Sequence, residues 1–249
     1  MYTQPATTLT PALIIYLIDA SHSMNDACGP TTRIEIVNRA LKGAIKDMIR
    51  RSMRDGVVQP RYKIAIFAYN TEVIDVLNGI RDLPELVRVG VPVLSAGGET
   101  DTAAAFAEAE TLLQLHLSEF QRSPAPLICH LTDALLTTRE DPRPIVRRIK
   151  AMRVQDGPVL VENVYVADDM LRKPVRDWHQ WGGIHRADQL KNEYAKFLFE
   201  LSSPLPETYR ENINNDGYRL QPGSVLFFPG THDDLVRLAF VTSAATQLK

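Results

Sequence analysis

The sequence has few of the features that assign a chain to a specialised class of protein. It contains two cysteines, Cys28 and Cys129, too few for a disulfide framework and in no zinc-binding pattern. Its formal net charge of −2 gives no electrostatic reason to expect nucleic acid or an anionic membrane as a ligand. No apolar stretch is long enough to span a bilayer, and the first residues lack the basic region of a signal peptide. We therefore expect a cytoplasmic location with no nucleic-acid or membrane partner.

Common catalytic motifs are also absent from the sequence. It contains no P-loop, GxGxxG, GxSxG, HExxH or CxxC pattern. Hydrophobic residues make up 45% and charged residues 23% of the chain, which is ordinary for a globular protein. A length of 249 residues suits one large domain, so we predict a single domain over residues 1–249.

Apolar runs of strand length alternate with segments whose apolar residues recur every three or four positions. This alternation predicts an α/β fold with a doubly wound, mainly parallel sheet. Asn70 and Thr71 form a turn short enough to make the next segment an antiparallel edge strand. The predicted strands are residues 12–18, 61–69, 72–77, 126–131, 159–166 and 224–228.

Residues 12–168 form the core of this prediction. Thr32 and Glu35 have the spacing of a capping box and open the first helix, whereas the Pro-rich segment before residue 94 is predicted as coil. Residues 169–249 add an insertion, the last strand and a closing helix over 233–247.

Oxygen-bearing side chains follow the first predicted strand. Asp19 ends the apolar run, and Ser21 and Ser23 follow at intervals of two. In open α/β sheets, ligands bind beyond the carboxyl ends of the strands. Hard oxygen groups suit a hard divalent cation such as Mg²⁺. An Asp-x-Ser-x-Ser string also serves in some proteins only as a helix cap and turn, and that alternative stays open on this motif alone.

Two further segments place oxygen groups at predicted strand ends or in loops after strands. Thr100 follows the Gly97–Gly98 pair, and Asp133 follows the strand at 126–131. With these motifs the sequence resembles a von Willebrand factor A (vWA) domain, whose metal-ion-dependent adhesion site combines Asp-x-Ser-x-Ser, a threonine in a glycine-rich loop and an aspartate after a strand. The chain departs from the family pattern at His22 and Ala134, where glycine is usual, and neither change removes a ligand.

The resemblance implies a metal site and a role in binding proteins. Ser21, Ser23 and Thr100 would contact Mg²⁺ through their hydroxyls, with Mn²⁺ or Ca²⁺ as alternatives. Asp19 and Asp133 would act largely through water. The metal would accept an Asp or Glu of a protein partner. Among intracellular bacterial members the chain looks most like those of tellurium-resistance clusters, which implies a kinase, phosphatase or AAA-ATPase encoded nearby as the partner.

The residues that flank the predicted ligands should line the surface that the partner contacts. These residues are His22, Met24, Glu99, Asp101 and Leu135.

Two other functions fit parts of the sequence. The first is a metal-dependent phosphotransferase or hydrolase that uses Asp19, but no residue stands out as its general base, and His130 is predicted to lie within a strand. The second is nucleic-acid binding by residues 170–187, which mix basic and aromatic side chains. Aspartates interrupt that segment, so an insertion that packs its tryptophans is the stronger interpretation.

Overall fold

A seven-stranded sheet forms the centre of the computed structural model, which describes residues 1–133 and 140–230. The strands of these residues, including two short two-stranded ribbons outside the main sheet, are β1 (Ala12–Asp19), β2 (Ala27–Cys28), β3 (Thr31–Thr32), β4 (Met53–Arg54), β5 (Val57–Val58), β6 (Tyr62–Tyr69), β7 (Val73–Asp75), β8 (Arg81–Asp82), β9 (Leu127–Thr132), β10 (Leu160–Tyr165) and β11 (Phe227–Pro229). The α-helices are α1 (Arg33–Ser52), α2 (Leu83–Val89), α3 (Thr102–His116), α4 (Arg143–Ala151), α5 (Glu193–Leu201) and α6 (Glu207–Asn215).

The main sheet has the order β11-β10-β9-β1-β6-β7, and β8 also pairs with β6. β1 pairs in parallel with β6 and β9, and β10 pairs in parallel with β9 and β11. β7 and β8 run antiparallel to β6. The predicted α/β fold, with a mainly parallel sheet and an antiparallel edge strand, is therefore confirmed, and β8 is an additional antiparallel strand.

β1 lies at the centre of the sheet and is buried along its whole length. Its continuous apolar sequence fits this position, because a parallel strand covered on both faces has no polar side. After β6 the chain crosses back past β1 to form β9, so the direction of strand addition reverses at β1. A reversal of this kind opens a crevice at the carboxyl ends of the two strands, where ligands bind. Asp19 ends β1 and Asp133 follows β9 at this crevice.

Local capping explains where several helices begin. The capping box of Thr32 and Glu35 is present at the start of α1, as predicted. The predicted coil before residue 94 was wrong, since it contains α2, which begins with a second capping box of Asp82 and Glu85. A proline in the first turn of α2 is compatible with a helix there, because its missing N–H has no helical partner at that position.

The last third of the described chain completes the same sheet. β11 extends it next to β10, and Trp181 packs its ring 6.2 Å from that of Phe228. Trp178 packs against Trp181 at 5.7 Å, so the interpretation of an insertion that packs its tryptophans is confirmed. The predicted closing helix over 233–247 lies outside the described residues, and a single domain over 1–249 stays a prediction. None of the described helices is both long enough and apolar enough to cross a bilayer.

Candidate metal-binding site

Asp19 is the most buried carboxylate of the candidate site, with 0% of its surface exposed. Oδ1 accepts a hydrogen bond from the backbone N–H of Ser21 at 2.9 Å, and Oδ2 accepts one from the hydroxyl of Thr132 at 2.6 Å. Burial raises the pKa of Asp19 to about 6; the donors from Ser21 and Thr132 oppose this shift, and the nearby Asp133 adds to it. In the described residues no cationic side chain pairs with Asp19.

Ser21 and Ser23 present their hydroxyls together beyond the end of β1. Their Oγ atoms lie 3.2 Å apart. A short 3₁₀ helix at His22–Asn25 bends the chain after Ser21 and brings the two alternate residues to the same side. The two serines are therefore placed for joint contact with one ligand.

Backbone hydrogen bonds hold the loop that carries Thr100 against the Asp19–Ser23 segment. The N–H of Gly97 donates to the carbonyl of Ala20 at 2.8 Å, and the N–H of His22 donates to the carbonyl of Gly98 at 2.9 Å. Thr100 itself is buried two residues farther along. The second predicted segment thus lies beside the first, as a shared ligand site requires.

Asp133 supplies the second carboxylate from the end of the neighbouring strand. β9 lies beside β1 with Leu131 opposite Ile18, which sets the end of β9 beside the end of β1. Asp133 is 2% exposed, and its charge contributes to the raised pKa of Asp19. The neighbouring Ala134 lies outside the described residues.

The chemistry of these side chains fits a hard divalent cation. A fully buried carboxylate that has only neutral donors is stabilised by a bound cation, because the cation offsets the lost hydration of the charge. Two carboxylates with several hydroxyls match the preference of Mg²⁺ for a few carboxylates and retained waters. The described residues contain no cluster of three or more His, Cys, Asp or Glu side chains suited to a metal, so the candidate site depends on hydroxyls in addition to its two carboxylates.

The residues predicted to line the partner surface have different environments. His22 and Glu99 are exposed, and Asp101 is half-buried and caps α3 by accepting from the N–H of Ala104. Met24 has 0% exposure, so its predicted place on the surface was wrong. It alternates with the serines in sequence, but the 3₁₀ turn directs it into the core. Leu135 lies outside the described residues.

Arg33 is a residue of the site that the motif analysis missed. Its Nη1 donates to Oδ2 of Asp133 at 2.7 Å and to the carbonyl of Ser23 at 3.1 Å. The same nitrogen lies 3.2 Å from Oδ2 of the exposed Asp26. Arg33 is the first residue of α1, ten positions after Ser23, and no sequence motif marks it as part of the site. Its contacts with Ser23 and Asp133 depend on the direction in which α1 extends from the loop after Ser23.

A buried hydrogen-bonded chain lies beneath the site. The hydroxyl of Tyr69 lies 2.6 Å from Nε2 of His130, and Nδ1 of His130 lies 2.7 Å from Oδ1 of Asn163. The amide nitrogen of Asn163 donates to the hydroxyl of Ser202, so Nδ1 of His130 carries the proton and Nε2 accepts from Tyr69. Burial lowers the pKa of His130 to about 4, which keeps the ring neutral at physiological pH. The prediction that His130 lies within a strand is confirmed, since it is a fully buried residue of β9.

The sequence matches no protein-family model and no curated protein. Solved structures with similar folds include the PilB minor pilin from Streptococcus sanguinis, 10% identical with a TM-score of 0.56 over 96% of this chain. The pilus adhesin SpaC from Lactobacillus rhamnosus GG is 10% identical with a TM-score of 0.59 over 97% of this chain. This chain spans 62% of PilB and 31% of SpaC. At these identities the likeness shows the fold alone.

The vWF domain of the type V pili tip protein Mfa5 from Porphyromonas gingivalis is 19% identical over 51% of this chain and 39% of that one. The TM-score of this match is 0.38.

Gly98 provides a test of how tightly the Thr100 loop must be held. Its φ is +80°, and an added Cβ would lie 2.8 Å from Oγ1 of Thr71, so Gly98→Ala should destabilise the fold by about 1–3 kcal/mol. It should also weaken metal binding, because His22 donates to the Gly98 carbonyl. Urea unfolding and Mn²⁺ titration measure both effects. Gly97→Ala is the matched control, since a Cβ there meets nothing within 4 Å. Equal stability of the two variants would contradict the prediction.

Proposed function

We propose that the chain is a vWA-type protein-interaction module that captures an acidic residue of a partner through a bound Mg²⁺. The observation that carries this proposal is the convergence of three sequence-distant segments around the buried Asp19. Ser21, Ser23 and Thr100 would hold the ion through neutral hydroxyls, and Asp19 and Asp133 would balance its charge. When bound, the ion supplies an electrophilic site for a carboxylate oxygen.

The surroundings of the two obvious catalytic candidates favour binding without turnover. Asp19 is fully buried, and both of its oxygens already accept hydrogen bonds, which is unfavourable for a nucleophile that must reach a substrate. His130 is fully buried, and both of its ring nitrogens are engaged, which is unfavourable for a general base. The alternative of a metal-dependent phosphotransferase or hydrolase therefore has less support.

SpaC is a pilus adhesin, and a protein that adheres is consistent with a binding role for this fold, although the likeness is one of fold. A partner that is a kinase, phosphatase or AAA-ATPase encoded nearby stays a prediction. The cytoplasmic location stays a prediction too.

Affinity purification from the native host tests the proposal. The immobilised protein should retain a defined partner in Mg²⁺ and release it in EDTA, and Asp19→Ala and Ser21→Ala should retain none. Asp47→Ala is the control for the loss of one negative charge, because Asp47 lies on α1 away from the site and pairs with Arg50. Retention that resists EDTA would contradict the proposal, as would a phosphatase activity of the wild type that Asp19→Ala lacks.

A further inference from the structure

Arg33 is a cationic side chain that contacts the candidate metal site. Its Nη1 joins two of the three converging segments, since it donates both to Asp133 and to the carbonyl of Ser23. The side chain is 17% exposed, so part of it is accessible to solvent although its Nε is buried. Asp26 also contacts Nη1 of Arg33, but its side chain is 59% exposed, so solvent screens much of its charge.

The charges of the site favour an anionic ligand when Arg33 is included. Asp19 and Asp133 contribute −2, a divalent ion +2 and Arg33 +1, which leaves a net charge of +1 for these groups. The exposed Asp26 and Glu99 are not counted, because solvent screens their charge. Without Arg33 the same group would be neutral. A carboxylate therefore meets a positive site that the metal ligands alone would not create.

The hydrogen bonds of Arg33 leave room for a ligand. All three of its side-chain hydrogen bonds with described residues come from Nη1. Its Nε is buried without a partner there, so Nη2 is the nitrogen left to bind a ligand. The planar guanidinium offers further N–H groups in a geometry that matches a carboxylate. We propose that Arg33 is the second cation of the site and that the partner's carboxylate is held by Arg33 as well as by the metal.

This inference rests on the proposed function, and it adds an effect on the metal itself. Because Arg33 and the metal share the charge of Asp133, Arg33 lowers the affinity for the ion while it raises the affinity for the ligand. A residue that only held the site in shape would affect both affinities in the same direction, because its loss would weaken metal binding and ligand binding together.

Mn²⁺ and acetate are the probes that test the inference on the full chain. Mn²⁺ affinity is measured from water-proton relaxation. Acetate affinity at saturating Mn²⁺ is measured from broadening of the acetate methyl resonance, with chloride keeping the ionic strength constant. The variants are Arg33→Gln and Arg33→Lys, and Arg50→Gln removes the same charge from the exposed far end of α1.

Arg33→Gln should bind Mn²⁺ at least as tightly as the wild type and acetate about tenfold more weakly or worse, as expected for the loss of a charged hydrogen bond. Arg33→Lys should keep the wild-type Mn²⁺ affinity and bind acetate at an intermediate strength. Arg50→Gln should match the wild type in both. Acetate binding by Arg33→Gln that equals that of Arg50→Gln would overturn the inference alone, and so would a parallel loss of Mn²⁺. Failure of the wild type to bind Mn²⁺ would instead overturn the proposed function, and the inference with it.

Discussion

Asp19→Asn should stabilise the metal-free protein at neutral pH and abolish metal binding. The raised pKa of Asp19, from 3.8 to about 6, means that ionised Asp19 destabilises the fold by about 3 kcal/mol above pH 6. Asparagine carries no charge and can still bond to Ser21 and Thr132. We therefore expect a gain of about 3 kcal/mol in EDTA at pH 7.5, measured by urea unfolding.

The extra stability of Asp19→Asn over the wild type should decrease at lower pH and in the presence of metal. The folded wild type binds the extra proton between pH 6 and 4, so the advantage of asparagine should shrink across that range and vanish near pH 4. Mg²⁺ at about 100 times its dissociation constant should stabilise the wild type alone by about 2.7 kcal/mol, which would remove most of the difference at pH 7.5. An Asp19→Asn protein less stable than the wild type in EDTA would contradict this account of the buried charge.

His130→Phe should have the opposite effect at neutral pH. Phenylalanine keeps a ring beside Phe106 but leaves the Tyr69 hydroxyl and Oδ1 of Asn163 without His130. Loss of these two buried hydrogen bonds should destabilise the fold by about 2–4 kcal/mol at pH 7.5.

A lower pH should reduce the difference in stability between the wild type and His130→Phe. The pKa of His130 is lowered from 6.5 to about 4, so the unfolded state binds more protons in that range and the contribution of His130 declines by about 3 kcal/mol as pH falls through it. The variant lacks this decline, so its deficit should narrow from pH 6.5 to pH 4. Unfolding curves at matched pH values test this. A deficit that stays constant with pH would show that the fold does not lower the pKa of His130.

The sequence predicted those features that depend on local pattern. The apolar run before Asp19 identified a strand buried on both faces, and the Thr32–Glu35 spacing identified the start of α1. The alternating strands and helices predicted a mainly parallel sheet, which brings the end of β1 beside that of β9.

Features that depend on the path of the chain in space were not predicted. Met24 was assigned to the surface because it flanks Ser23, but the 3₁₀ turn buries it. Arg33 reaches Asp133 across 100 positions of sequence, which no short motif encodes. The segment that contains α2 was predicted as coil because it is rich in proline, and the capping box of Asp82 and Glu85 was missed. A proline in a first turn is compatible with a helix.

Calorimetric titration of the purified chain with Mg²⁺ and Mn²⁺ tests the central claim most directly. The site at Asp19, Ser21, Ser23, Thr100 and Asp133 predicts one ion per chain for the wild type and no specific binding for Asp19→Asn under the same conditions. A wild type that binds neither ion, or an Asp19→Asn variant that binds as tightly as the wild type, would contradict the claim that this site holds a metal.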